Sequence, residues 1–139
     1  MTEKKEIPWT DILIDTRNYT VYKDGFPVTE GHVLFVPKND DWKNLTECFE
    51  AAYKWGYDWL KRGYCDAFNI GQNVGEAAGQ TVMYPHIHLI PRRNGDMSDP
   101  RGGVRHVIPE KGNYKRDKKK EEEDKQWAEM TAHQERFDF

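Results

Sequence analysis

The 139-residue chain is long enough for one domain with a buried core and too short for two. Charged residues make up 32% of it, but 17 of the 45 lie in residues 109–139, so the net charge of −3 and the mean hydropathy of −0.97 describe a globular stretch followed by a charged one. No apolar run of about 18 residues is present to form a membrane span, the negative net charge argues against a broad nucleic-acid footprint, and Cys48 and Cys65 make neither a disulfide framework nor a zinc set.

The first residues, Met1–Glu6, lack the apolar core of a signal segment, so reduced thiols in a cytoplasmic protein are expected. Ile12-Leu13-Ile14 and Thr20-Val21-Tyr22 read as strands, and Asp24-Gly25 as a turn. His32-Val33-Leu34-Phe35-Val36 is a strand apolar nearly throughout, which predicts burial on both faces, and it stops at Pro37. Residues 45–62 predict the main helix. Asn44 and Glu47 have the spacing of a capping box, Leu45, Cys48, Phe49, Ala52, Gly56, Trp59 and Leu60 form one stripe, and Gly63 stands where a left-handed cap belongs. A strand at Ala67–Gly71, a Gly-containing loop over 72–80, and a strand from Thr81 to Ile90 follow. Residues 92–112 read as irregular, and 113–139 as a charged helix or tail in which Glu121 and Lys125 are spaced to pair. The fold class is therefore α+β, with a domain over 1–112.

The chemistry concentrates in Tyr84-Pro85-His86-Ile87-His88-Leu89-Ile90-Pro91-Arg92. Strand alternation puts Tyr84, His86, His88 and Ile90 on one face, with the two imidazole-bearing Cα atoms roughly 7 Å apart. The preceding loop can present backbone N–H groups to an anion. One histidine could then attack phosphorus while its neighbour hydrogen-bonds a phosphoryl oxygen or passes a proton. Taken alone, the pair also fits two satisfied histidines or half of a metal site.

The flanking residues narrow this. Gly79-Gln80-Thr81-Val82, then His86 and His88, then Leu89-Ile90-Pro91-Arg92 resemble the histidine-triad (HIT) superfamily of nucleotide hydrolases and transferases. Upstream, Asp24 to His32 and Val36-Pro37-Lys38 resemble that family's first hairpin. Pro91-Arg92 is more similar to the fragile-histidine-triad and bacterial dinucleoside-polyphosphate hydrolase branches than to the phosphoramidases. The likeness spans roughly residues 11–108.

The resemblance implies an antiparallel sheet of about five strands with one main helix, a homodimer, and a purine nucleotide substrate. It places His86 as the nucleophile that forms a nucleotidyl-histidine. It places His88 on the α-phosphate or bridging oxygen, and Gln80 and Thr81 as donors to the phosphate and leaving group. The loop residues Gly79 and Val82 line the same site. Asn73 falls where the family carries an amide facing the phosphates, and Asp24 where it holds the ribose hydroxyls. Asp24 on its own is an ordinary Asp-Gly turn. His32 reads as a supporting residue. Arg92, Arg93, Arg101 and Arg105 are either contacts for distal phosphates or a solvated basic loop. No cofactor or protein-bound metal is required, though a divalent cation can accompany the substrate phosphates. Tyr84 departs from the family by replacing the first triad histidine, and Pro85 removes a strand N–H. The rival expectations are a nucleotide-binding module with little turnover, nucleotidyl transfer or phosphoramidate hydrolysis at the same site, and a metal-binding interaction protein.

Overall fold

The computed structural model describes residues 7–114 and 118–135, with side chains described for 7–114 and 122–132. The chain forms two compact units, Met1–Ser98 and Asp99–Phe139, so the expected boundary at residue 112 falls inside the second.

The first unit is an α+β fold. Strands β1 (Ile12–Asp15), β2 (Tyr19–Lys23), β3 (Val33–Pro37), β4 (Ala67–Gly71) and β5 (Ile87–Arg92) form one sheet in the order β1-β2-β3-β5-β4, and every neighbouring pair is antiparallel. β3 is buried along its whole length, as its apolar run predicts. Val21, Phe35 and Ile87 align across β2, β3 and β5, and with Val33 and Leu89 they form the core under α1 (Trp42–Arg62). Burying each such side chain fully contributes about 1.5–3 kcal/mol. The opposite face carries Tyr22, Leu34 and Val36, with Tyr84 packed among them and Ile7 and Trp9 over them.

The helix begins one turn earlier than the capping pattern predicts. Asp41, not Asn44, is the cap: its backbone is extended (φ −139°, ψ 156°), and its Oδ1 accepts the Asn44 N–H at 2.7 Å. Asn44 is buried inside the first turn and accepts the Asn39 N–H at 3.0 Å, while Glu47 accepts from Asn18 Nδ2 at 2.8 Å and so ties the helix to the β1–β2 turn. Asn44 thus holds the chain entering the helix and Glu47 makes a tertiary contact, so the two do not form a capping box. At the other end Gly63 adopts φ +72°, and the Gly63 and Tyr64 N–H groups close on the carbonyls of Leu60 and Trp59 as a left-handed cap does. Cys48, Ala52 and Gly56 line the buried side of α1, whereas Phe49 is 38% exposed and falls off the predicted stripe. A Cβ added at Gly56 would lie 2.7 Å from the Phe68 ring of β4, so helix and strand approach closely there. Burial pushes the Cys48 thiol up to about 12, which leaves it an inert core group.

The second unit contains a short turn at Gly103–Val107, α2 (Pro109–Gly112) and α3 (Lys118–Glu135), so the stretch expected to be irregular is partly helical. Arg105 donates to the carbonyls of Lys111 and Gly112, and His106 Nε2 lies 2.9 Å from the Arg101 carbonyl. In α3, Trp127 and Met130 are exposed; the Glu121 side chain of the expected pair with Lys125 lies outside those described, as do residues 136–139 of the expected tail. Among the described residues no helix is long and apolar enough to cross a membrane.

Candidate active site

The expected strand from Thr81 starts only at Ile87. Residues 72–86 instead form an irregular loop with one short helical turn, Glu76–Ala78. Two features of the sequence account for this. Pro85 has no N–H to give a ladder. Gln80 holds the loop in a competing arrangement: its Oε1 accepts the Gly75 N–H at 2.8 Å, and its Nε2 donates to the carbonyls of Val82 and Met83 at 3.1 and 3.2 Å. Gly79, at φ +93°, makes the left-handed turn that sends the chain back to the sheet.

The loop closes over the sheet face opposite α1. Between them lies a cavity of about 340 Å³ lined by Asp24, Asn73, Gly79, Gln80, Thr81, Val82, His86 and His88. These are the eight residues that the resemblance assigned to catalysis or substrate binding, and they come from three segments. The same cavity is also bordered by Trp9, Lys23, Phe26 and Leu34, which the sequence reading missed. Trp9 was recognisable only as an aromatic after Ile7-Pro8; its ring centroid lies 4.7 Å from that of His86.

His86 is 8% exposed, and its Nδ1 lies 2.8 Å from the Tyr84 carbonyl. A carbonyl can only accept, so Nδ1 carries the proton and Nε2 keeps its lone pair. Tyr84 fixes that carbonyl from behind. Its hydroxyl, buried in the second apolar cluster, donates to the Pro37 carbonyl at 2.7 Å. Burial raises the Tyr84 pKa, with Asp40, Cys48 and Asp41 adding to it, so the hydroxyl stays neutral.

A second chain of hydrogen bonds fixes His88. The Val28 N–H donates to His32 Nδ1 at 3.2 Å, which leaves the His32 proton on Nε2. His32 Nε2 lies 2.9 Å from His88 Nδ1 and 3.3 Å from Asp24 Oδ2. His88 Nδ1 therefore accepts, and its own proton sits on Nε2. The His88 pKa is lowered to about 4, chiefly by burial and then by the charges of His32 and His86, with Asp24 opposing them. Burial likewise lowers that of His32, against Asp24. Both rings are thus neutral at pH 7. The His32–His88 contact joins residues 56 apart in sequence, and nothing in the local pattern announces it.

Asp24 Oδ1 accepts the Phe26 N–H at 2.8 Å, so the Asp-Gly turn and the site carboxylate are one structure. Ligand atoms of Asp24, His32 and His88 lie within 4.8 Å of one another. Arg92 and Arg93 do not line the cavity. Arg92 pairs with Asp96 and donates to Asn69, and Arg93 donates to the carbonyls of Glu30 and Tyr64. The reason is competition: carboxylate and carbonyl partners within the fold already take up both guanidinium groups.

Residues 4–95 match the HIT domain family. The chain is 34% identical over 97 residues to an uncharacterized HIT-like protein of Methanocaldococcus jannaschii, covering 66% of this chain and 74% of that one. It is 35% identical over 98 residues to the adenosine 5'-monophosphoramidase HNT1 of Saccharomyces cerevisiae, covering 66% of this chain and 59% of the enzyme. It is 36% identical over 80 residues to the asymmetrical bis(5'-nucleosyl)-tetraphosphatase of Schizosaccharomyces pombe, covering 52% of this chain and 44% of the enzyme. Among solved structures, a zinc-bound histidine triad family protein of Mycobacterium smegmatis superposes with a TM-score of 0.58 at 28% identity, over 63% of this chain and 69% of that chain. Fold, loop, histidine pair and these likenesses agree: the chain belongs to the HIT family.

Proposed function

We propose that this protein is a nucleotide hydrolase that cleaves at the α-phosphate of a dinucleoside polyphosphate through a nucleotidyl-histidine at His86. The observation that carries the reading is the His86 Nδ1 contact with the Tyr84 carbonyl, which leaves the Nε2 lone pair free on a ring that lines the cavity. Nε2 attacks phosphorus, the bond to the leaving oxygen breaks, and the carbonyl dipole offsets the positive charge that develops on the ring. His88 Nε2–H hydrogen-bonds the leaving oxygen, and Thr81 and Gln80 border the phosphate. Water then attacks the intermediate, releasing the nucleoside monophosphate and restoring His86. Asp24 receives the ribose and Asn73 faces the phosphates.

Phosphoramidate hydrolysis is the second reading, and the likeness to the yeast phosphoramidase favours it. A panel of diadenosine tetraphosphate and an adenosine phosphoramidate, assayed with wild type and His86→Ala, separates the two. The proposal expects the polyphosphate to be the faster substrate, with the variant inactive on both. Unchanged turnover in the variant would remove His86 from the mechanism.

This route needs no resident metal; a divalent ion would travel with the substrate phosphates. The donors of Asp24, His32 and His88 are of the type zinc accepts, but a zinc ion there would displace the His32–His88 hydrogen bond. Excess zinc is therefore expected to inhibit, and chelation to leave turnover intact; stimulation by zinc in the same assay would reverse that assignment.

Pairing with a second copy is proposed through α1 and the edge strand β4. Phe49, Tyr53 and Tyr57 leave an aromatic row 38–52% exposed beside that edge.

A further inference from the structure

The turn between β2 and β3 carries Asp24 and His32, and it is held from outside the cavity. Thr29 Oγ1 donates to the Pro91 carbonyl at 2.7 Å, across to the end of β5. Arg93, just past β5, donates through Nη1 to the Glu30 carbonyl at 2.7 Å, and through Nε and Nη2 to the Tyr64 carbonyl at 3.4 and 3.3 Å. Its guanidinium lies 4.7 Å from the centre of the Tyr64 ring. Directly after these tethers, Gly31 takes φ +94° with the Tyr64 hydroxyl packed where a Cβ would stand. The turn is thus fastened to β5 at Thr29 and to both β5 and the end of α1 at Glu30.

Inside the turn, the His32 N–H donates to the Thr29 carbonyl at 3.2 Å, and the Val28 N–H donates to His32 Nδ1 at 3.2 Å. The tethered residues are therefore neighbours of the groups that fix the His32 proton on Nε2, and through it the His88 proton on Nε2. We infer that Arg93 and Thr29 are positioning residues: by anchoring this turn to β5 they set the tautomers of His32 and His88, and so present His88 Nε2–H to the reacting phosphate. Neither touches substrate. The inference rests on the proposed role of His88, but the tautomer part can be tested without turnover.

The test uses the full chain as wild type, the double variant Thr29→Val/Arg93→Gln, and the single variants Thr29→Val and Thr29→Ser. Imidazole nitrogen–proton correlation spectra report where each ring holds its proton. Wild type is expected to show His32 and His88 as single tautomers protonated on Nε2. The double variant is expected to show mixed tautomers at both rings, a kcat at least about tenfold lower, and an AMP dissociation constant within about twofold of wild type. Thr29→Ser, which keeps the hydroxyl, is expected to restore the wild-type spectra and rate. If the double variant fails to fold, Thr29→Val alone decides by the same readouts. Unchanged tautomers together with a kcat within about twofold of wild type would overturn the inference and leave the tether a purely structural one. A wild type that turns over none of the substrates would instead sink the proposed function, while the spectra would still decide whether the tether sets the tautomers.

Discussion

Along β5, Ile87 and Leu89 are fully buried beneath α1, while His88 between them lines the cavity on the opposite face. The same alternation runs across the sheet: Val21, Phe35 and Ile87 share the helix side, and Tyr22, Leu34 and His88 share the cavity side. One face supplies apolar packing, the other a set of oriented ring nitrogens. The two properties are encoded at alternate positions of the same strands, so each can be removed with the other largely left in place.

The largest separation is expected between His86→Ala and Phe35→Ala. The first should lower turnover at least about 10³-fold with nucleotide binding within about tenfold, because the group acts only in the chemical step. The second should cost about 3–5 kcal/mol of stability, read as a fall of at least about 10 °C in Tm, because it empties the core under α1. Coincident losses of rate and stability in both variants would dissolve the distinction between the faces.

Tyr84 sharpens the comparison, since it belongs to the apolar cluster and also holds the carbonyl behind His86. Tyr84→Phe leaves the Pro37 carbonyl without its donor and should cost about 1–3 kcal/mol in a denaturant titration. Tyr84→His reintroduces a group that titrates near neutrality, and should change the pH profile of kcat more than the affinity. An identical profile would reduce residue 84 to a packing role.

The smallest effect is on stability against pH. His88 drops from an ordinary 6.5 to about 4 in the folded state, and His32 is lowered too. Between those values the unfolded chain binds more protons than the native one. The contribution of these rings is therefore present in full above about pH 6.5 and is lost as pH falls towards about 4. Urea midpoints for wild type should rise from pH 5 to pH 7, and the rise should be smaller in His88→Gln. An equal rise in both would assign it to other groups.

Much of this was legible in the residues. The apolar run 33–36, the glycine at 63, and the loop and histidine pair each express a local rule of burial, capping or alternation. The misplaced features are those in which a particular hydrogen-bonding partner, near or far along the chain, outbids the pattern. Asn44 and Glu47 look like a cap but are taken up by Asn39 and Asn18. Thr81 to His86 alternate like a strand, but Gln80 folds them into a loop. Arg92 and Arg93 fit either phosphate contacts or a solvated basic loop by pattern, but are spent on Asp96, Asn69 and two carbonyls. The His32–His88 bond depends on strand order, which spacing along the chain does not contain.

Gly56 illustrates how such a distant partner constrains redesign. Alanine is the better helix former by about 1 kcal/mol, so a scheme for raising thermostability from propensity alone would replace this glycine first. The Phe68 ring fills the space the new methyl needs, at 2.7 Å. The exchange would have to shift the ring or prise β4 away from α1, and the border strand would loosen along with the aromatic row beside it. Here the poorest helix former in the segment is the one that an engineer should leave alone.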